Sequence, residues 1–414
     1  MNTETEEKFC LVVMSSWPPR ACGIASYSYD LLSEGIIPTL DTVFGEQQWR
    51  LEIICHTDGS EPIRGGRIHP ILEAEKPGWP DRVMAEIRQI REENQGPLAC
   101  HFQHEFGIYN SPADKNAWLF TKLLFDCKLE RIPAVVTYHT LLVNMPTPHR
   151  IYYNHTLGLA AATIIHEGSQ RLALPWNIGR VVWPKSVSVI QHGATTSRAD
   201  REVNRERFGL SGKKVVGVIG WFSANKELVQ VVTQVWPRVR AEMPEAVLVV
   251  AGDARAGDPG GTQYEADLLH AIAQSPERDS ILHLPCNDPQ RYHAILSTFD
   301  VFPLLYSDAS QSGNLAHAYS AGVPVVVSAL EGLKASLESS RAGVVVPIGD
   351  WEEAAREILR LLRDDGLRAL LSQRGQEYVR RNIAWELTGR KHLDVYRWAI
   401  DRYQQEMVEA PSVI

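Results

Sequence analysis

Residues 215–220, VVGVIG, form a short run of apolar and β-branched residues, and the stretch 221–227, WFSANKE, follows it directly. Such a run is typical of a strand that is buried on both faces of a parallel sheet. Comparable runs recur along the chain, each followed by polar or helical sequence: 9–14, 51–56, 134–139, 163–166 and 187–191 before residue 195, and 246–251, 281–284, 301–305, 323–328 and 343–347 after it. This alternation predicts an α/β protein with two Rossmann-like, doubly wound parallel-sheet domains.

The length of 414 residues agrees with two domains. We expect the first domain at 1–194, a polar linker at 195–214, the second domain at 215–375 and terminal helices at 376–414. The composition, with 44% hydrophobic and 22% charged residues, is that of a globular protein. A net charge of -8 argues against nucleic acid as the main partner, because proteins that bind nucleic acid usually carry a basic surface.

The six cysteines are spread through the chain with no C-x-x-C pair, so buried thiols are favoured over disulfides or zinc ligands. The amino terminus is acidic, and the apolar run 9–14 that follows it is too short for a signal sequence or a membrane span. These features predict a cytoplasmic protein without a transmembrane segment.

Ligands of open parallel sheets bind outside the carboxyl ends of the strands, so the residues after each run are candidates for a site. The loop 18–25, PPRACGIA, follows the first run, and Gly23 there allows backbone N–H groups to approach an anion. Taken alone, this segment is better explained as a plain strand-to-helix turn.

His139, His166 and His192 each lie at the end of an apolar run. A single histidine at a strand end is usually structural, but the three together indicate a cleft.

Two segments of the second half are suited to phosphate. Lys226 lies near the start of a predicted helix, where a diphosphate would be favoured, although a solvated lysine on a first helical turn explains it equally well. Ser312, Gly313 and Asn314 would present backbone amides at another helix start, and the alternative there is a simple helix cap by Ser310 or Ser312.

Several common motifs are missing from the sequence. There is no G-x-G-x-x-G and no G-x-x-x-x-G-K-[ST], which disfavours a dinucleotide oxidoreductase or a P-loop NTPase. The pairs His104-Glu105 and His166-Glu167 lack the second histidine of H-E-x-x-H, so zincin chemistry is unsupported. The chain also lacks the G-x-S-x-G elbow of an α/β-hydrolase.

The ordered set of segments resembles the retaining GT-B glycosyltransferases of group 1 (family 4), in a bacterial branch with a Ser/Gly-rich donor loop. The loop 18–25 resembles the family's donor loop, 101–107 a segment of one bacterial branch, 136–140 the strand end with the active-site histidine, and 220–226 the phosphate-binding loop. The segments 321–326 and 342–347 complete the order, and Trp385 and Tyr396 fit terminal helices that cross back onto the first domain.

The resemblance implies a hexosyltransferase that moves a sugar from a nucleotide-diphosphate sugar to a carbohydrate, glycan or other acceptor with retention of configuration. It implies no cofactor, no obligatory metal and no covalent glycosyl-enzyme. The residues that it assigns are His139 and Lys226 as catalytic, Gly23, Ile24, Gly220, Lys226, Ser312, Gly313, Asn314 and His317 as donor-binding, and Gln103, His104 and Glu105 on the acceptor side.

The chain departs from the family at two places. Counting back from Gly322, Ala309 and His317 occupy the positions of the usual pair of glutamates, and His317 can still bond a ribose hydroxyl whereas Ala309 cannot. Trp221 replaces the arginine that usually accompanies the phosphate-binding lysine. These changes leave two alternatives open: a catalytically weak or inactive GT-B protein that binds a nucleotide sugar or a partner protein, and another GT-B reaction such as a phosphorylase or a sugar-nucleotide epimerase.

Overall fold

The structure is a computed structural model that describes residues 8–409 apart from 47, 95, 142–145, 172–186, 197–198, 256, 287 and 310. The chain forms two compact units. The first unit is Met1–Gln191 together with Trp385–Ile414, and the second is His192–Ala384. Each unit is an α/β domain with parallel strands, so the predicted fold class is confirmed.

The described part of the first unit holds a seven-stranded parallel sheet in the order β3-β2-β1-β4-β5-β6-β7. Its strands are β1 (Phe9–Met14), β2 (Trp49–His56), β3 (Gly66–Leu72), β4 (Leu98–His104), β5 (Ala134–Tyr138), β6 (Ala162–Ile165) and β7 (Val187–Val189). The winding reverses between β1 and β4, and ligands of such sheets bind where the loops after two such strands diverge.

Helices cover both faces of this sheet, and they span Gly23–Asp30, Leu31–Ile36 (a π-helix), Ile37–Phe44, Trp79–Asn94, Phe106–Tyr109, Trp118–Leu129, Thr147–Leu159 and Trp385–Glu409. Alternate residues of β1 enter different cores. Leu11 and Val13 belong to the cluster that contains Tyr396 of the last helix, whereas Val12 belongs to the cluster around Phe120. Burial on both faces explains why β1 is a continuous apolar run.

The second unit has two groups of three parallel strands, β10-β9-β8 and β11-β12-β13. The strands are β8 (Lys214–Ile219), β9 (Ala246–Ala251), β10 (Ile281–Leu284), β11 (Phe302–Leu304), β12 (Val325–Ser328) and β13 (Gly343–Val346). A parallel bridge between Val216 and Val301 joins the groups beside β11, and Gly217 N donates to Val301 O at 3.1 Å. The winding therefore reverses between β8 and β11.

The helices of the second unit alternate with its strands, and they span Arg201–Arg207, Ala224–Lys226 (3-10), Leu228–Gln230, Val231–Val235 (π), Trp236–Glu242, Pro259–Gln274, Arg278–Ser280 (3-10), Pro289–Leu296, Gly313–Ala321, Glu331–Ser340, Trp351–Arg363, Asp365–Tyr378 and Val379–Ile383 (π). The predicted linker contains the first of these. Arg205 donates to the buried Asp300 carboxylate at 2.8 Å, so this stretch packs within the second unit.

Gly389 in the last helix and Gly35 in the helix Leu31–Ile36 allow the backbones of these two helices to lie close together. A Cβ atom on Gly389 would lie 2.1 Å from the carbonyl oxygen of Gly35 and 2.7 Å from Oγ1 of Thr39. A Cβ atom on Gly35 would lie 2.8 Å from the carbonyl oxygen of Trp385. Because backbone atoms cannot turn aside, any larger residue at these two positions forces the helices apart.

We expect Gly389→Ala to lower the free energy of unfolding by about 1–3 kcal/mol, the usual cost of overpacking. Gly158→Ala is the matched control, since Gly158 lies in the helix Thr147–Leu159 of the same unit and a Cβ atom there meets nothing within 4 Å. That control should be neutral or raise stability by up to about 1 kcal/mol. Chemical denaturation of both variants measures the difference, and equal effects would contradict the proposed close approach.

Candidate functional site

The first unit places its predicted donor loop at the carboxyl end of β1. The helix Gly23–Asp30 begins with Gly23 and Ile24, and Cys22 before it has extended backbone. Gly23 is exposed and Ile24 is half-buried. A helix start at the end of the first strand favours an anion, as the sequence predicts for these two residues.

His139 follows β5 and lies in a line of buried side chains. Its Nε2 atom is 2.8 Å from Oε1 of Gln103, and its Nδ1 atom is 3.2 Å from Nε2 of His166. His166 Nδ1 in turn is 2.9 Å from the carbonyl oxygen of Ile190. The ring of Tyr27 packs against both imidazoles, with centroid distances of 5.0 and 5.3 Å. These contacts fix the position of the His139 ring.

The three residues predicted on the acceptor side have different surroundings. Gln103 is fully buried and bonds His139. His104 is also fully buried, with Nε2 2.6 Å from the hydroxyl of Tyr152, and aromatic rings surround it. Burial lowers the pKa of His104 to about 3, so it is neutral at pH 7. Glu105 is half-buried, and its carboxylate accepts bonds from Phe106 N at 3.1 Å and Thr140 Oγ1 at 2.5 Å.

Sequence reasoning missed Glu167 as a titratable group at this edge of the sheet. Burial raises the pKa of Glu167 to about 7, and the amide of Gln191 partly offsets this. Gln170 Oε1 accepts from the backbone N–H groups of His166 and Glu167 at 2.8 and 2.9 Å, which holds the turn after β6. In the sequence, the pair His166-Glu167 resembles only an incomplete zinc-binding motif, which says nothing about the burial of the Glu167 carboxyl group.

The predicted phosphate loop of the second unit closes around Gly220 at the carboxyl end of β8. Gly220 has φ +124°, and a Cβ atom on it would lie 3.1 Å from Asn314 Nδ2 and 3.3 Å from Lys226 Nζ. The Lys226 ammonium group donates to the carbonyl oxygen of Trp221. Burial lowers the pKa of Lys226 to about 7, and the positive charge of Arg255 adds to this effect.

Asn314 is held by bonds on both sides of its amide. Its Nδ2 atom donates to Ile219 O at 2.9 Å and to Tyr306 OH at 3.1 Å, and its Oδ1 atom accepts from Tyr292 OH at 2.9 Å. This network fixes the start of the helix Gly313–Ala321 next to β8. The two tyrosines could not be identified as part of the site from sequence, because nothing in their local pattern separates them from core residues.

Of the two serines that could cap this helix, the structure describes Ser312. Ser312 occupies the cap position but makes no side-chain bond to the helix. Ser310 lies outside the described residues. Gly313 begins the helix, and a Cβ atom there would lie 3.1 Å from Nε2 of His192.

His317 lies one helical turn further on, among aromatic rings. Its ring is 5.7 Å from His192, 5.3 Å from Tyr292 and 5.2 Å from His293. Burial, then the neighbouring His192 and His293, hold the pKa of His317 well below its usual value, so the ring is neutral at pH 7. His192 was expected beside His139 and His166, but its contacts place it in the second unit.

The structure therefore assembles two sets of predicted residues, each within its own unit. His139 and Gln103 meet in the first unit. Gly220, Lys226, Gly313, Asn314 and His317 lie around the ends of β8 and β11 in the second unit. Ala309, where the resemblance leads one to expect a glutamate, is half-buried and carries no polar group. Among the described residues, no group of three or more His, Cys, Asp or Glu side chains is arranged to hold a metal ion.

The depressed pKa of Lys226 predicts that anion binding depends on pH. Above pH 7 the free protein holds this amine neutral, so an anion must bring a proton with it, and affinity should fall by up to about tenfold per pH unit. Pyrophosphate binding by calorimetry between pH 6.5 and 8.5 measures this. Pyrophosphate itself titrates in that range, so Lys226→Arg, which stays charged, is the reference. The same pH dependence in both proteins would contradict the prediction.

Residues 213–364 match the family model Glycosyl transferases group 1. A D-inositol 3-phosphate glycosyltransferase of Salinispora arenicola (strain CNS-205) is 27% identical over 239 residues, which are 55% of this chain and 52% of that protein. This chain thus spans about half the length of that curated relative.

Two solved structures resemble nearly the whole chain. Sucrose-phosphate synthase (tll1590) from Thermosynechococcus elongatus has a TM-score of 0.75 at 16% identity and covers 95% of this chain and 100% of its own. Anabaena Alr3699/HepE in complex with UDP and glucose has a TM-score of 0.69 at 16% identity, with coverages of 94% and 99%. None of the helices in the described ranges is long and apolar enough to cross a membrane. Residues 213–364 are thus similar to the group 1 glycosyl transferases, and the chain has the GT-B fold.

Proposed function

We propose that this chain transfers a sugar from a nucleotide-diphosphate sugar to an acceptor, with retention of anomeric configuration. The observation that carries the proposal is the meeting of Gly220, Lys226 and Asn314 at the carboxyl end of β8, inside the matched region 213–364. A backbone without a Cβ atom, one lysine and a helix start are the features that a diphosphate needs.

The chemistry of the reaction suits these groups. Breaking the anomeric bond develops negative charge on the leaving diphosphate, and fixed donors aimed at that charge lower the barrier. Lys226 supplies the cation, and the first backbone N–H groups of the helix Gly313–Ala321 supply dipoles. Both side-chain N–H groups of Asn314 are already engaged, so Asn314 holds the loop and the helix together while Lys226 meets the phosphate.

His317 is our candidate for the ribose contact. Family resemblance places it at the position of a glutamate that binds the ribose, and its neutral imidazole offers one donor and one acceptor. Ala309 offers neither. A bond to a neutral group contributes less than a bond to a carboxylate, so we expect weaker binding of the nucleotide than a glutamate would give.

In the first unit we assign His139 as the catalytic side chain and Gln103 as its positioning residue. The 2.8 Å contact between them, and the burial of Gln103, favour positioning over direct contact with an acceptor. His104 lies in its aromatic cluster and is better suited to packing. Glu105 is half-buried at the end of β4 and stays the acceptor-side candidate of the three.

The alternative function is a protein that binds a nucleotide sugar without transferring it. It is favoured by two particular positions, since Ala309 has no carboxylate and Trp221 supplies no second cation for the diphosphate. Loss of donor binding and loss of transfer are separable, so measurements of each distinguish the two functions.

The first test is donor binding. The Anabaena structure contains UDP and glucose, which makes UDP-glucose the first donor in a panel that also holds GDP-, ADP- and dTDP-sugars. A ligand that binds only the folded protein raises the unfolding temperature by an amount set by its concentration over its dissociation constant. We expect a clear rise with one base, lost in Lys226→Ala and kept in Lys334→Ala, a control at an exposed lysine of the same unit. No rise with any donor would contradict the proposal.

The ribose assignment of His317 has its own test. We expect His317→Ala to weaken binding of the matching nucleoside diphosphate by about 3- to 10-fold, the value of one or two neutral hydrogen bonds. Pyrophosphate has no ribose, so its affinity should be unchanged in the same variant. Calorimetry with both ligands measures the two effects, and an equal loss for both would assign His317 to the structure of the loop instead.

A further inference from the structure

The loop after β9 is fixed against the loop that holds Lys226. Gly252 follows β9 with φ +139°, and a Cβ atom on it would lie 2.1 Å from the carbonyl oxygen of Gly220. Phe222 N donates to the carbonyl oxygen of Asp253 at 3.0 Å. These backbone contacts place the start of the loop after β9 beside the proposed diphosphate site, within the second unit.

This loop carries an exposed cation, Arg255. No residue in the described ranges forms an ion pair or a hydrogen bond with its guanidinium group. Two carboxylates lie close to Arg255 in the sequence, but backbone N–H groups occupy both. Asp253 accepts from Cys286 N at 2.8 Å, which ties the loop to the end of β10. Asp258 accepts from Gly261 N at 3.0 Å and caps the following helix. The charge of Arg255 is therefore free to meet an anion.

The charges of Arg255 and Lys226 act on each other. Burial, and then the positive charge of Arg255, lowers the pKa of Lys226 to about 7. Among the described residues no carboxylate offsets this effect. Two like charges held near each other raise the free energy of the free protein, and an anion that contacts both removes this cost.

We propose that Arg255 binds the same diphosphate as Lys226 and is the second cation of the donor site. This inference rests on the proposed function, because its ligand is the diphosphate of a nucleotide sugar. Such a diphosphate carries more than one negative charge, and Lys226 alone does not neutralise it. A guanidinium group presents parallel N–H donors that match two oxygens of a phosphate.

A second cation also assists the transfer step. Negative charge on the leaving diphosphate grows as the anomeric bond breaks, so a cation in contact with it lowers the barrier. Trp221 supplies no cation from the loop after β8, but Arg255 reaches the site from the loop after the neighbouring strand β9. The two loops meet only in the folded protein, because Lys226 and Arg255 belong to successive strand-to-helix connections.

The test is calorimetry of inorganic pyrophosphate binding at pH 8.0 with Arg255→Gln. At an ionic strength of about 0.15 M, exposed charges that do not contact the anion are largely screened. We expect the affinity to fall by about 10-fold or more, the value of a hydrogen bond to a charged group. Arg374→Gln is the matched control and should leave the affinity unchanged. Arg374 is also exposed and without an ion pair to a described residue, and it lies in the helix Asp365–Tyr378 of the same unit.

An effect of Arg255 through Lys226 alone would have the opposite sign. Removing the charge of Arg255 raises the pKa of Lys226, so more of this amine is protonated at pH 8.0 and pyrophosphate should bind more tightly. Unchanged or tighter binding in Arg255→Gln would therefore overturn the proposal. An equal loss in Arg374→Gln would also overturn it, because the effect would then follow net charge and not position.

Failure of this inference and failure of sugar transfer give different results. Pyrophosphate binding that is lost in Lys226→Ala but kept in Arg255→Gln overturns the role of Arg255 and leaves the proposed function standing. A loss of about 10-fold in Arg255→Gln, in a protein that transfers no sugar, supports the role of Arg255 in binding and contradicts transfer. No binding of pyrophosphate by the wild-type protein would overturn both.

Discussion

The second unit depends on the absence of a side chain at the carboxyl end of β8. Gly220 has a positive φ, and the Lys226 ammonium and the Asn314 amide approach it to distances that a Cβ atom would fill. Gly252, at the end of β9, also has positive φ, and a Cβ atom on it would lie 2.1 Å from the Gly220 carbonyl oxygen. Two glycines therefore bring the ends of adjacent strands together, and only then can the loop and the helix start share one small space.

Both units have a parallel sheet with polar side chains at the carboxyl ends of its strands, but the chemical groups of these side chains differ. Around β8 and β11 a half-buried lysine, whose pKa is lowered to about 7, can gain a proton when an anion binds. Around β4, β5 and β6, imidazoles and an amide form a buried line of hydrogen-bonded side chains. Both arrangements carry polar groups where ligands of parallel sheets bind, and both are held by side chains whose own positions are fixed by further bonds.

The fold could be predicted where strands are apolar and buried on both faces, as at 9–14 and 246–251. Strand β4, LACHFQH, was missed because His101, Gln103 and His104 are as buried as its apolar residues, and hydropathy cannot show bonds that make this burial acceptable. Strand β3 was missed because it is a half-exposed edge strand that includes Pro70.

Some residues of the candidate site could likewise be predicted from the sequence, and others could not. Gly220 and Lys226 were predicted because their segment directly follows a strand along the chain, and Asn314 because it lies at a predicted helix start. The bond between His101 and Tyr396 joins residues 295 positions apart, and no local pattern could suggest it. The same holds for the burial of Gln103, which is the reason that we propose Gln103 as a support for His139 and not as an acceptor contact.

The measurement that tests sugar transfer most directly is release of nucleoside diphosphate from the best-binding donor, with and without a panel of sugar acceptors. If the chain transfers a sugar, release of nucleoside diphosphate depends on the acceptor. It also falls by about 100-fold or more in Lys226→Ala, the usual loss when a group that stabilises developing charge is removed. Release that is the same with and without every acceptor, or the same in Lys226→Ala as in the wild-type protein, would contradict this expectation.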